Sequence, residues 1–202
     1  MRKLMLLMSI PMGIVLATVP VQAARGDRMI SFSAGTAMPR RDFVGRAPAG
    51  VIGGVGLEYL ATAHLAVGIE GAFVRFGDEA AVAVGTPVTR KSTMMHGSAH
   101  LKYMVTETRI SPFVLVGLGA YRVKDSSESS DPMFDSTGRY DTFWGTRAGL
   151  GLTYKSSDRV SIRAEGALHG VWTAFNWNNG FVARSFISVQ TGVSIGIGNP
   201  AD

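Results

Sequence analysis

Cysteine is absent from this chain of 202 residues. Its absence excludes disulfides and a lipid-modified N-terminal cysteine. Beyond the first residues there is no run of about 18 apolar residues, so no membrane-spanning helix is expected there. Charge is sparse, at 17% Asp, Glu, Lys and Arg. The net charge of +5 is not gathered into a basic run or stripe, so nucleic acid is not expected as a partner. Glycine, by contrast, is plentiful at 25 residues, which suits a tightly packed strand-rich wall more than a helical enzyme.

The N-terminus has its own character. Arg2 and Lys3 precede an apolar stretch from Leu4 to Val19, Pro20 breaks it, and Val21-Gln22-Ala23 supplies small residues at the two positions a signal peptidase reads. This predicts a secretory signal over residues 1–23, cleaved near Ala23. Residues 24–202 then form one domain. Its charge is about +3, since Arg2 and Lys3 account for two of the five positive charges.

The domain reads as eight stretches of period-two hydrophobicity. They run about Arg28 to Met38, Val51 to Leu60, Leu65 to Phe76, Thr93 to Val105, Ile110 to Val123, Thr142 to Tyr154, Val160 to Thr173 and Val182 to Ile197. The connections alternate. After strands two, four and six they are tight and polar: Ala61 to His64, Thr106 to Arg109 and Lys155 to Arg159. After strands one, three and five they are long: Pro39 to Gly50, Gly77 to Ser92 and Lys124 to Asp141. The last, Ala174 to Phe181, is shorter, and its Asn178-Asn179-Gly180 suits a tight hairpin turn. Such alternation predicts an all-β fold: a closed, eight-stranded, antiparallel up-and-down barrel crossing the bacterial outer membrane. Short turns would face the periplasm and long loops the exterior.

Each strand separates two faces. Strand four sets Met95, Gly97, Ala99, Leu101 and Tyr103 against His96, Ser98, His100 and Lys102. Strand seven sets Val160, Ile162, Ala164, Leu168 and Trp172 against Ser161, Arg163, Glu165 and His169. Strand five, with Phe113-Val114-Leu115-Val116, is apolar on both faces and its parity stays open. A lipid-facing Arg or Lys near the midplane costs about 2–4 kcal/mol, so in a membrane barrel the polar face points inward. Tyr59, Tyr103 and Tyr154 lie close to the short turns, and Tyr121, Phe143 and Trp172 lie close to the long loops. Two aromatic girdles, the outer one extended by Trp177, are what two membrane interfaces select.

On these features the chain resembles the small eight-stranded outer-membrane β-barrels of the OmpA/OmpX-like group. Ser111-Pro112-Phe113-Val114 through Gly117-Leu118-Gly119-Ala120-Tyr121 is similar to a strand common in such barrels. Gln190, Gly192, Ile195 and Ile197 resemble the final-strand signal read by the barrel-assembly machinery, though the chain continues through Gly198 to Asp202 where members often end on an aromatic. The resemblance implies a monomer in the Gram-negative outer membrane, in contact with lipid and lipopolysaccharide. No peptidoglycan-binding domain is expected after the last strand.

The inward charged set is Glu58, Glu70, Lys102, Arg147, Arg163 and Glu165, three acids and three bases. An eight-stranded barrel is just wide enough for side chains to fill it, so this set predicts a salt-bridged plug, with a gate in a narrow ion path as the alternative. His96, His100, His169 and Gln190 are expected to fill the lumen. The histidines lack a carboxylate or Cys at ligand spacing, so no metal and no cofactor is expected. His96 and Ser98 with Glu70 or Glu165 are loosely similar to the Ser-His-acid arrangement of lipid A-modifying barrels. Their inward position argues against an acyl substrate, and no enzyme is expected. Two loop features suggest a surface. Lys124 to Asp131 is polar and mobile-looking, and Trp172, Phe175, Trp177 and Phe181 gather around the last loop. They predict an interface belt or a contact for a surface or host partner. Arg40, Arg41 and Arg46 suit lipopolysaccharide phosphates. The expected role is structural or interactive, in envelope integrity or adhesion, with a narrow solute channel and a lipid A-modifying enzyme as alternatives.

Overall fold

The computed structural model describes residues 27–40, 48–83, 86–129, 131, 133, 138, 140–176 and 180–197. Nine strands occur among them: β1 (Arg28–Pro39), β2 (Gly50–Leu60), β3 (Leu65–Arg75), β4 (Glu79–Ala83), β5 (Thr86–Met104), β6 (Ile110–Ser129), β7 (Tyr140–Lys155), β8 (Val160–Asn176) and β9 (Gly180–Ile197). The signal sequence, Arg41, Arg46, Trp177, Asn178 and Asn179 lie outside the described residues, as do the side chains of Phe175 and Phe181.

Eight of these strands close a barrel. Each pairs antiparallel with its neighbours, β3 pairs β5, and β9 returns to β1 along a register running from Arg28↔Ile197 to Pro39↔Phe186. Closure matters because a sheet edge in hydrocarbon would leave rows of unpaired backbone groups. The chain has the all-β, eight-stranded antiparallel fold that the alternating connections predict, plus one strand.

The short turns owe their tightness to hydroxyls. Thr62 Oγ1 accepts the backbone N–H of Leu65 at 2.9 Å, and Ser157 Oγ accepts that of Val160 at 3.1 Å. In both turns the first two backbone N–H groups, of Ala61 and Thr62 and of Ser156 and Ser157, donate to the carbonyl of that same residue. One hydroxyl thus replaces a backbone partner that the reversal removes.

The extra strand corrects the reading of the second and third long loops. Residues 86–92 and 124–129, read as loop, continue β5 and β6 as a paired ribbon with the register Val88↔Ser129 to Thr93↔Lys124. Strand β4 adds to it through Glu79↔Arg90 to Ala83↔Thr86. The acidic segment Lys124 to Ser129, read as mobile, is strand, braced by Lys91 Nζ donating to Glu128 at 2.6 Å. Alternation did not announce this ribbon because above the membrane neither face is selected to be apolar, although Val88 and Ser92 are buried.

Along the wall, residues alternate between buried and exposed. On β5 the exposed positions are Met95, Gly97, Ala99, Leu101 and Tyr103, and the buried ones are His96, Ser98, His100 and Lys102. Strand β6 buries Ser111, Phe113, Leu115, Tyr121 and Val123 and exposes Val114, Val116 and Leu118, which settles its parity. Exposed aliphatics thus cover the outside while ionised groups lie inside, the inverse of a soluble barrel.

Candidate functional site

The lumen is the place where chemistry-bearing side chains converge, and it is layered. Its middle is ionic. Lys102 pairs with Glu58, and Arg163 donates to Glu58 at 3.0 Å and to Glu70 at 3.2 Å. Arg147 donates to Glu70 at 2.7 Å and pairs with Glu165. The six residues picked from the sequence therefore form one chain of alternating sign: Lys102, Glu58, Arg163, Glu70, Arg147, Glu165. All six are buried. Burial is costly for each ion alone, and only mutual pairing with good hydrogen-bond geometry offsets it. His100 Nε2 approaches Glu58 at 3.5 Å beside the same chain.

The register explains the convergence. Glu70 sits opposite Ser98, Arg147 opposite His169 and Glu165 opposite Gln190, so no two of these six charges are direct cross-strand partners. The long arms of Arg147 and Arg163 then reach across the barrel to β3 and β2. Glycine clears the way for bulk. A Cβ at Gly145 would meet the Tyr121 ring, and one at Gly151 would meet the Phe113 ring, within 3 Å.

Towards the long loops the ionic layer is capped by apolar and aromatic groups, among them Val74, Phe76, Met94, Tyr121, Val171 and Phe186. The imidazole of His169 stacks on Phe186 at 4.2 Å, and His96 stacks on Tyr121 at 5.0 Å. Tyr121 Oη lies 3.2 Å from His169 Nδ1, and His169 Nε2 lies 3.0 Å from Ser188 Oγ. The Tyr121 hydroxyl, the His169 imidazole and the Ser188 hydroxyl thus form a continuous hydrogen-bonded row whose donor directions follow the imidazole tautomer. Gln190 bridges onwards, its Nε2 donating to Ser188 at 3.3 Å and its Oε1 accepting from Ser33 at 3.0 Å. Towards the short turns a second apolar layer closes the barrel with Leu60, Ala66, Met104, Phe113 and Leu115, and Met29 packs on it. Lys102 Nζ stands 5.5 Å from the Phe113 ring, joining this layer to the ionic one.

Two girdle assignments are corrected. Tyr121 is fully buried and belongs to the upper lumen layer, because β6 turns its odd-numbered residues inward. Phe143 packs against that same layer. It lies four residues from Arg147, an even spacing, so the parity that buries Arg147 turns Phe143 inward too. The outward aromatics of β7 near the long loops are Tyr140 and Trp144, the latter 69% exposed and opposite the exposed Trp172. The period-two reading contained that signal for Phe143, since Arg147 already lay on the polar face, whereas the parity of the strand that carries Tyr121 was open. Tyr59, Tyr103 and Tyr154 are exposed beside the short turns. In β9, Gln190 and Gly192 take inward positions, while Ile195 and Ile197 are exposed.

The Ser-His-acid constellation is not assembled. His96 and Ser98 are both buried, and neither the His96 ring nitrogens nor Ser98 Oγ has a hydrogen-bond partner in the protein. No cluster of three or more metal-ligating side chains occurs among the described residues.

No family model matches the sequence, and no curated protein matches it. Solved structures share the fold. Neisserial surface protein A superposes with a TM-score of 0.61 at 14% identity, covering 83% of this chain and 96% of that one. The outer membrane protein OprG of Pseudomonas aeruginosa superposes at 0.55 and 12% identity, covering 87% and 99%. Ail, the attachment invasion locus protein of Yersinia pestis, superposes at 0.52 and 14% identity, covering 86% and 100%. Identity this low shows the fold alone: that of the small eight-stranded outer-membrane barrels.

Proposed function

We propose that this chain is secreted, loses its first 23 residues and inserts as a monomeric barrel in the outer membrane of a Gram-negative cell. There it serves a structural or surface-contact role and not that of an open pore. One observation carries the reading: an unbroken ion-pair chain between two apolar layers fills the lumen. Water and ions would have to break several buried pairs at once to pass.

The remaining features fit the same reading. Tyr59, Tyr103 and Tyr154 would anchor the inner interface, and Trp144 and Trp172 the outer one. Gln190, Gly192, Ile195 and Ile197 would present the final strand to the barrel-assembly machinery. The ribbon of β4, β5 and β6 would hold loop sequence in fixed shape above the membrane, as recognition on a rigid scaffold requires. One fold neighbour, Ail, is named for attachment and invasion and has been crystallised with the heparin analogue sucrose octasulfate. A sulfated or phosphorylated surface partner is the corresponding expectation here.

The test is a planar bilayer recording on protein whose gel mobility changes on boiling. We expect the mobility change, no discrete conductance in the wild type, and openings in Arg147→Ala. Steady wild-type channels altered by Glu70→Gln would replace this reading with that of a narrow solute channel. Lipid A mass spectra should be the same with and without the protein, and a mass change abolished by His96→Ala would make it an enzyme.

A further inference from the structure

The outside of the wall carries a feature that the lumen does not explain. A groove of about 800 Å³ crosses the lipid-facing surface between β1 and β7, within the roughly 300–1,000 Å³ of small-molecule sites. Gly71, Gly97 and Ala120 lie side by side in one hydrogen-bonded row, with Trp144 at its end. A Cβ placed on Gly97 would meet nothing within 4 Å. The wall is hollow here because side chains are missing, not because the backbone needs glycine.

Directly above this row lies positive charge. Two rows further out, Arg75, Thr93, Lys124 and Tyr140 are register partners, and the row between holds Arg122. The Arg122 guanidinium stands 4.4 Å from the Tyr140 ring centroid and the Lys124 ammonium 5.4 Å. Neither has an ion-pair partner among the described residues, and Arg75 faces only the exposed Asp78, at 3.9 Å. Arg75 and Lys124 lie two strand spacings apart, about 10 Å.

Depth fits a lipid headgroup. Ten residues separate Leu65 from Arg75 on β3, and Tyr154 from Trp144 on β7. At about 3.3 Å per residue and a tilt of about 40°, ten residues rise about 25 Å, the height of the apolar band. Arg75 therefore stands at the outer interface, and by the same count from Ile110 on β6 Arg122 and Lys124 stand about 5 and 10 Å further out, in the headgroup region, with the groove beneath them among the acyl chains of the outer leaflet.

We propose that this face of β3, β5, β6 and β7 binds lipid A, the phosphorylated, multiply acylated glycolipid of the outer leaflet, with acyl chains in the groove and phosphates on Arg122 with Lys124 and on Arg75. The inference rests on the outer-membrane reading above. Two positive loci about 10 Å apart suit a headgroup with two phosphates better than one with a single phosphate. An apolar groove lined by residues of six strands suits several chains.

The folded full-length mature protein in detergent is mixed with bisphosphorylated lipid A, its dephosphorylated form or phosphatidylglycerol, and the retained lipid is read by native mass spectrometry. Bisphosphorylated lipid A should be retained, and the other two lost. Gly97→Leu, which fills the groove from a position where a Cβ meets nothing within 4 Å, and the pair Arg122→Gln with Lys124→Gln should each cut retention about ten-fold, the worth of about 1.4 kcal/mol. Unchanged retention in both variants overturns the proposal. So does phosphatidylglycerol held as firmly as lipid A. Unboiled samples run on gels beside the spectra keep the two readings apart. A fast-moving band without lipid A retention overturns this inference alone, and a soluble chain with no band shift overturns the outer-membrane reading beneath it.

Discussion

Strand β5 holds two environments one residue apart. Met95, Gly97, Ala99, Leu101 and Tyr103 face outward, and His96, Ser98, His100 and Lys102 face inward. Over most of the outer face hydrocarbon asks only that no charge meet it, so many apolar side chains would serve equally well. The inner face has no such tolerance. Each ion there depends on a partner from a distant part of the chain: Arg147 and Glu70 are 77 residues apart, and Arg163 and Glu58 are 105 apart. The outside is thus set by residue class, and the inside by particular pairs.

Substitutions can break that contrast in order of size. Arg147→Ala should cost most, about 3–5 kcal/mol, because it strands Glu165, which has no other ion-pair partner shown, and weakens Glu70. Urea unfolding from liposomes would measure it, and Glu165→Gln added to Arg147→Ala should recover part of the loss. Arg163→Ala should cost less in the same assay. Glu58 keeps Lys102 and Glu70 keeps Arg147. Equal losses in the two single variants would mean that the chain of pairs acts as one unit and not link by link.

The outer face is probed by Leu150→Arg. It puts a cation in the middle of the apolar band, at about 2–4 kcal/mol, with the same unfolding midpoint as readout. A cost near zero would mean that this wall does not face lipid. Tyr121→Phe should be milder, about 0.5–1.5 kcal/mol, since it removes the hydroxyl's contacts with His169 and the Thr146 carbonyl and keeps the ring. Lys91→Ala should be smallest, within about 0.5 kcal/mol, because its pair with Glu128 is solvent-exposed. A larger loss would show that the ribbon above the membrane is cooperative with the barrel.

How much of this was legible beforehand follows from the same contrast. The wall was legible because class and period suffice for it. The six lumen charges were legible as a set, since each alternates with apolar neighbours, but which acid met which base was not. The apolar layers that seal the lumen escaped the reading. Phe186 shares the parity of Ser188 and Gln190 and could have been read as inward, but Phe113 and Tyr121 lie on the strand whose two faces are both apolar, where period alone does not separate inside from outside. The ribbon of β4, β5 and β6 escaped for the opposite reason, because above the membrane no face is selected against charge.

The amino-acid sequence by itself determined the eight strands of the barrel wall, the alternation of short and long connections, and the side of the wall that carries charge. These are local properties, readable within ten residues at a time. Only the tertiary structure decided the order of the ion-pair chain, the two apolar layers around it, and the meeting of Gly71, Gly97 and Ala120 beneath Arg122 and Lys124. Those depend on register between strands and on closure of β1 upon β9. Register is set by the whole barrel closing at once, so no single segment encodes it.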